Sequence, residues 1–282
     1  MKALTLMVGV KNEAPYIPEW IEFHLLQGVD HFLVYDNGST DNLAETLEPY
    51  TADGKVTLIS IPLEFQNNGA GIWAIRHAIG WGVDWTHWLM CSGVDEYLFC
   101  PQGERLPQFL REFDLHAGIA VSWKMFNSSG RERKADGLVI ERFTDTYREG
   151  TPHVKSIIQP RKIQAIANPH YFIPHEPWSI VNENHEEVLG AHPPYVSFRR
   201  IRINHYWTMS REEFEIKMRK GRSDQPGQDF VRREGADDLW NHAHHPNEQT
   251  GPDMSLQVYA DAVKEALRKR KEKAHAHQEG NQ

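Results

Sequence analysis

Cysteine is nearly missing. Cys91 and Cys100 are the only two in 282 residues, which excludes a disulfide scaffold and fits a reducing compartment. No apolar run is long enough to cross a bilayer, and the opening stretch Met1 to Val8 is too short for a signal peptide. The expectation is a soluble, cytoplasmic protein with no transmembrane segment. An excess of basic charge is lacking as well. The net charge of −8 argues against nucleic acid as a general partner, and a metal could offset negative charge where an anionic substrate binds. Three signature loops are also absent. Lys11-Asn12-Glu13-Ala14-Pro15 follows the first strand where a dinucleotide site needs Gly-x-Gly-x-x-Gly, and neither a P-loop nor a Gly-x-Ser-x-Gly elbow occurs. A serine hydrolase would thus have no nucleophile. No internal repeat is found.

What is present in the first hundred residues is an alternation of strand and helix patterns. Ala3 to Val10 reads as a strand covered on both faces. Pro15 and Pro18 introduce a helix with Ile17, Ile21 and Leu25 on one face, and Gly28 is placed to stop it. His31 to Tyr35 reads as a second strand ending at Asp36-Asn37-Gly38, and Ser39, Thr40 and Asp41 supply an N-cap for a helix towards Tyr50. Val56 to Ile61 is a third strand. Beyond the Asn67-Asn68-Gly69 loop, a helix from Gly71 to Gly82 carries Arg76. A fourth strand, Trp88 to Met90, leads through Ser92 and Gly93 to Asp95 and Glu96. Two adjacent carboxylates between apolar runs are costly in a core without partners or a cation.

This alternation implies right-handed crossovers and an α/β fold with a doubly wound, mostly parallel central sheet flanked by helices. Parallel strands finish on one side. Lys11 to Glu13, Asp36 and Asp95 should therefore converge at one sheet edge, where such folds bind ligands. Acids, amides and one arginine at that edge suit a nucleotide whose diphosphate is held by a divalent cation, and oxygen ligands favour Mg²⁺ or Mn²⁺.

The second half is less regular. Gly118 to Met125 and Ser156 to Gln159 read as strands, Asn127 to Gly130 as a turn, and Asp136-Gly137 precedes a helix through Phe143. Residues 168–194 are rich in Pro, His and Asn and read as long loops. Val196 to Trp207 alternates as a strand does, after which Ser210 and Glu213 form a capping box. Little periodicity is visible from Gly221 to Pro252. Tyr259 to Lys273 reads as a charged helix followed by a frayed end.

Val10-Lys11-Asn12-Glu13, Pro18 to Glu22 and Tyr35 to Asp41 resemble the nucleotide-binding half of glycosyltransferases of the GT-A fold. Asp95 to Leu98, Trp123 to Gly130, Lys155-Ser156, Asn204 to Trp207 and Ser210 to Arg222 resemble the family 92 type, close to family 2. The resemblance covers residues 1–222 as the GT-A domain and leaves 223–282 as a C-terminal extension, a loop and then the charged helix. It implies a hexosyltransferase that moves a sugar from a UDP-sugar donor to a carbohydrate acceptor. Val10, Lys11, Asn12, Glu13 and Asp36 would hold the uracil and ribose, with Arg76 near the base or phosphates. Asp95 matches the last acid of the Asp-x-Asp metal motif, and His205 a histidine that completes the shell of Mn²⁺ or Mg²⁺. The Asn127 to Gly130 turn and His170 would face the sugar or acceptor. Gly93 departs from the pattern, since the motif's first acid would stand there.

Inversion at the anomeric carbon needs a general base, for which Asp136 and Glu141 are the candidates against plain helix capping or surface pairing. The alternative function is a degenerate GT-A domain that binds a nucleotide or glycan without turnover. A sugar nucleotidyltransferase would bring a Gly-rich basic loop near the N-terminus, and none is found. Trp178 and Trp207 are placed to stack on a sugar ring. His242, His244 and His245 read as exposed loop histidines, as do His275 and His277. The run Arg268 to Lys271 reads as a solvated helical face balanced by Glu265 and Glu272.

Overall fold

The computed structural model describes residues 1–66, 69–148, 152–194, 196–220 and 236–280. Asn67, Asn68 and the 222–223 boundary fall outside them, as do the side chains of His275 and His277. In chain order the first half runs β1 (Lys2–Val10), α1 (Ile17–Leu26), β2 (His31–Asp36), α2 (Leu43–Ala52), β3 (Val56–Ser60), the one-turn α3 (Leu63–Gln66), α4 (Ala70–Trp85) and β4 (Thr86–Ser92). Next come β5 (Glu96–Phe99), α5 (Leu106–Leu110), β6 (Gly118–Phe126), α6 (Val139–Arg142), β7 (Asp145–Tyr147) and β8 (Val154–Ile158). The hairpin β9 (Ile163–Asn168) and β10 (Tyr171–Pro174) follows, then β11 (Ile180–Val181), β12 (Arg202–His205) and α7 (Arg211–Lys220). The last elements are α8 (Ala236–His244), β13 (Gln249–Pro252) and α9 (Ala260–Gly280).

The main sheet runs β13-β7-β6-β8-β4-β1-β2-β3. Strands β4, β1, β2 and β3 are mutually parallel, and β8 is antiparallel to both β4 and β6. The expected α/β sheet is thus the observed one. Alternate residues of each strand face opposite sides. Leu6, Val8, Phe32, Val34 and Met90 pack beneath α1 and α2, whereas Met7, Leu33, Tyr35 and Leu89 pack beneath Ala70, Ala74 and Ala78 of α4. Because both faces are covered, these strands read as continuous apolar runs rather than as alternation. Gly28 does end α1, at φ +97°, and a Cβ there would lie 2.9 Å from Pro107 Cδ.

Several local readings come out differently, among them the 168–194 stretch read as loops, which holds β10 and β11. Ser39 to Asp41 do not cap α2, whose N-cap is Asn42 without a side-chain bond. Their polar atoms instead tie down the loop after β1: Asn12 N–H donates to Ser39 Oγ at 3.0 Å and Ala14 N–H to Asp41 Oδ2 at 3.0 Å. Only 202–205 of the Val196 to Trp207 stretch is strand, because Glu183 draws the Arg199, Arg200 and Ile201 N–H groups into a loop. Within the stretch read as aperiodic, α8 forms and β13 joins β7 antiparallel. Four exposed residues, Gln-Thr-Gly-Pro, carry no strand pattern to read.

The C-terminal residues are fastened to the sheet. Asp253 accepts from Lys124 Nζ at 2.5 Å and from Arg202 Nη2 at 2.7 Å. Helix α9 lies on α1 and α2, with Arg270 bonded to Glu22 at 3.1 Å and paired with Asp53. Arg268 pairs with Glu265 and Glu272 along the helix, which accounts for part of the basic run. Arg270 is the exception, since it points inward.

Candidate active site

Residues expected at the sheet edge do gather there. Val10 and Asp36 are neighbours in the β1–β2 register, and Val8 stands beside Ser92 across β1–β4. Asn37 N–H donates to Val10 O at 2.8 Å, and Asp36 Oδ1 accepts from Ser39 N–H at 2.8 Å. Asn12 takes φ +55°, a left-handed conformation that asparagine tolerates better than most residues, and its Oδ1 accepts from Thr40 N–H at 2.7 Å. The two strand-end loops are therefore knitted into one rigid rim. Arg76 lies exposed on α4.

Beyond β4 the chain turns sharply at Gly93. Glu96 Oε2 accepts from Gly93 N–H at 3.1 Å and from Ser92 Oγ at 3.4 Å, so the buried Glu96 fixes its own turn. Lys155 Nζ of β8 stands 3.5 Å from Glu96 Oε1. Burial opposes the Lys155 charge, but Glu96 opposite keeps its ammonium above the ordinary lysine range.

Asp95 brings the second carboxylate to the same place. Its Oδ2 meets Lys217 Nζ of α7 and lies 3.4 Å from His205 Nε2 of β12. Burial works against ionisation here too, and the adjoining Lys217 and His205 outweigh it, holding the carboxyl well below the usual carboxylate range. His205 is itself fixed by β12, which pairs with β5 on one side and β6 on the other. The Trp123 ring covers it at 4.3 Å between centroids. Lys217 Nζ has a second partner, the Trp207 carbonyl at 3.0 Å.

Trp123 also contacts His153 and His170. His170 Nδ1 is bonded to Val154 O at 3.0 Å. Burial, with the Lys155 charge nearby, pushes this ring down to about 3, so it stays neutral. Nε2 of His153 and Nε2 of His192 are 2.7 Å apart, within hydrogen-bond distance. The Asn127 to Gly130 turn is held from the C-terminal side: His244 Nε2 lies 2.7 Å from Ser128 Oγ, and Asn127 Nδ2 donates to Gln249 Oε1 at 2.6 Å. His244 is accordingly a half-buried packing residue rather than an exposed loop histidine.

Asp95, Glu96 and His205 each bring one ligand atom within 4.8 Å of the others. A set of carboxylate oxygens and one imidazole nitrogen suits Mg²⁺ or Mn²⁺. These residues fit a divalent cation, on the condition that Lys217 gives up Asp95.

The two acids expected to act as base lie outside this group. Glu141 Oε1 accepts from Lys264 Nζ of α9 at 2.5 Å. Asp136 is exposed in the 131–136 loop, which is joined to the start of α7 through Lys134 N–H and Glu212 Oε2 at 2.9 Å. Trp178 is half-exposed, under the Lys162 ammonium. Trp207 packs on Phe214 and beneath Lys217.

Lys217 is the site residue that sequence reasoning missed. Its signal lay in the capping box. Ser210 and Glu213 do form it, with Ser210 Oγ donating to Glu213 Oε2 at 2.6 Å, and that fixes where α7 begins. Positions four residues apart share a helix face, so a Glu213 turned back to cap α7 puts Lys217 on that same face.

The profile of glycosyltransferase family 92 matches residues 4–243. A "glycosyltransferase family 92 protein" of Oryza sativa subsp. japonica is 26% identical over 216 residues, 73% of this chain and 34% of that protein. One of Arabidopsis thaliana is 29% identical over 222 residues, 73% of this chain and 35% of its own. The chain thus spans about a third of the length of these curated relatives. Among solved structures, S. aureus TarS residues 1–349 is similar at TM-score 0.39 and 16% identity, over 77% of this chain and 64% of that one. Mycobacterium tuberculosis glucosyl-3-phosphoglycerate synthase, solved with Mn²⁺, UDP and glucosyl-3-phosphoglycerate, gives TM-score 0.29 and 19% identity over 46% and 45%.

Proposed function

Since the chain belongs to glycosyltransferase family 92 and has the α/β architecture of a GT-A enzyme, we propose that it transfers a hexosyl group from a UDP-sugar to a carbohydrate hydroxyl, with inversion. One observation supports this more than any other: Asp95 and His205, 110 positions apart in sequence, meet beside the rim built from Val10 to Glu13 and Asp36. That rim offers a carboxylate, an amide and backbone groups to a uridine, with Arg76 contributing on the α4 side.

In the transfer, the bond from sugar C1 to the β-phosphate oxygen breaks and its electron pair stays on the diphosphate. The acceptor oxygen forms the new bond to C1 from the opposite face and loses its proton to a base. Of the two acids proposed for that proton, Glu141 is already held by Lys264, and the exposed Asp136 is the one carried forward. A divalent cation, Mn²⁺ or Mg²⁺, bound by Asp95 and His205 would supply positive charge for the departing diphosphate. Lys155 holds Glu96, and with it the turn that aims Asp95. His170, neutral and fixed through Nδ1, offers Nε2 to a sugar hydroxyl.

Gly93 favours a second reading, nucleotide binding without transfer. One experiment addresses both. Thermal shifts with UDP, GDP and ADP, each with and without Mn²⁺, should single out UDP, and donor turnover should vanish in Asp95→Asn. UDP binding without any donor hydrolysis or transfer would favour the second reading. No stabilisation by a uridine diphosphate under either condition would sink both.

A further inference from the structure

Two carboxylates and two ammonium groups make up the centre of the site: Asp95 with Lys217, and Glu96 with Lys155. These four charges pair off before any ligand arrives. The two lysines are not equivalent. Lys155 rises from the middle of the sheet and its side chain is 10% exposed. Lys217 comes from a peripheral helix, its side chain is 32% exposed, and it is attached through one carboxylate oxygen and one carbonyl. It can leave without disturbing the core. That oxygen, Asp95 Oδ2, is also the one nearest His205 Nε2, so the ammonium rests where the two ligands converge. Gly93 supplies no second carboxylate to share the load.

We propose that Lys217 is a displaceable counter-ion: it neutralises Asp95 in the donor-free protein and moves to the diphosphate when cation and nucleotide enter together. The proposal rests on the UDP-sugar reading above. A dication alone would have to approach a site that is already neutral and would face an adjacent ammonium. The diphosphate alone would find Lys217 committed to Asp95. Together they exchange partners, Asp95 to the cation and Lys217 to the phosphate oxygens, and no charge is left unpaired. Each ligand should therefore strengthen the other, by the same factor in both directions. A clamp that merely holds α7 in place would weaken both ligands when cut, whereas a displaceable counter-ion acts on them in opposite directions.

The test is calorimetric titration of Mn²⁺ alone, of Mn²⁺ in the presence of saturating UDP, and of UDP and UMP in the presence of Mn²⁺. The wild type, Lys217→Met and Lys217→Arg are compared, with thermal unfolding as the check on folding. Lys217→Met should bind Mn²⁺ alone about tenfold more tightly than the wild type, and UDP about tenfold more weakly, a coupling of ordinary size. UMP, which lacks the β-phosphate, should be much less affected. Lys217→Arg keeps the charge and should behave like the wild type; if Lys217→Met does not fold, Lys217→Gln takes its place. Unchanged or weaker Mn²⁺ binding in the neutral variants, with UDP still bound by the wild type, would overturn the role given to Lys217 and leave the donor reading standing. If UDP bound to no variant, with or without Mn²⁺, both would fall.

Discussion

His24 gives the sharpest prediction because its protonation state is dictated from both sides. The ring is fully buried on α1, between Trp20, Phe23 and Tyr97. Leu98 N–H donates to Nε2 at 3.1 Å, so the proton must sit on Nδ1, which donates to Trp20 O at 2.8 Å. A second proton would set two N–H groups against each other in a dry pocket. Burial accordingly pushes the ring down to about 3 from an ordinary value of 6.5, only partly offset by the bond to Trp20. The depressed folded-state value means that this contribution is whole above pH 6.5 and is lost as the pH falls from there towards about 3. A shift of that size corresponds to about 5 kcal/mol over the whole window, a large share of the roughly 5–15 kcal/mol that holds a typical domain together.

The perturbation is His24→Leu, which cannot titrate but orphans the Leu98 N–H, at about 1–3 kcal/mol. Urea unfolding should find the variant less stable by that amount at about pH 8, where the wild-type ring is neutral. At about pH 4.5 the wild type has lost about 2–3 kcal/mol through His24 and the variant nothing, so the gap should close or reverse. Leu98 lies on β5 two residues after Glu96, so the same acidification should loosen the ligand turn before the far edge of the sheet. A stability gap that stays constant between the two pH values would refute the assignment of a permanently neutral ring.

Three further outcomes are expected. Gly93→Ala places a Cβ 2.6 Å from Asp95 Oδ1, so Mn²⁺ and UDP binding should weaken together, and Gly93→Asp should fare no better although it restores the first acid of the motif; calorimetry reads both. Glu213→Gln breaks the two-bond fork to Arg142, both bonds 3.0 Å and both groups buried, and should cost about 3–5 kcal/mol in urea unfolding by stranding the guanidinium. Asp253→Ala frees Lys124 and Arg202 together, and hydrogen exchange should accelerate along β13 and β7 while the β1–β2 amides keep their protection.

How much of this could be read from the chain depends on how far apart the partners lie. β1, β2 and β4 were legible because each is a local apolar run covered on both faces, and the placement of Asp36 and Asp95 at one sheet edge followed from parallel geometry alone. His205 was found through a resemblance in local motif, not through any pattern of spacing. The lysines were beyond local reading: Lys217 is 122 positions from Asp95, and only the completed sheet and α7 bring them together. Ser39 to Asp41 misled for a related reason. An N-cap and a tether to a neighbouring loop use the same hydroxyl and carboxylate groups, and only the position of Asn12 and Ala14 decides between them.

The division of charge along the chain carries a mechanical consequence. The carboxylates of the centre, Asp95 and Glu96, come from one turn in the first third, while Lys155, His205 and Lys217 come from β8, β12 and α7. Buried carboxylates without partners are strongly disfavoured, so the β4–β5 turn cannot settle until β8 and β12 have docked. Glu96 meets Lys155 across the sheet and His205 along the β5–β12 ladder, which makes it the joint between the two halves. Lys217 arrives last in sequence and from outside the sheet, so it completes the charge balance without being needed to form the sheet. Removing Lys155 should therefore damage folding, whereas removing Lys217 should leave the fold and alter ligand exchange. The two lysines carry the same charge, and it is their place in the sheet that separates a structural ion from a displaceable one.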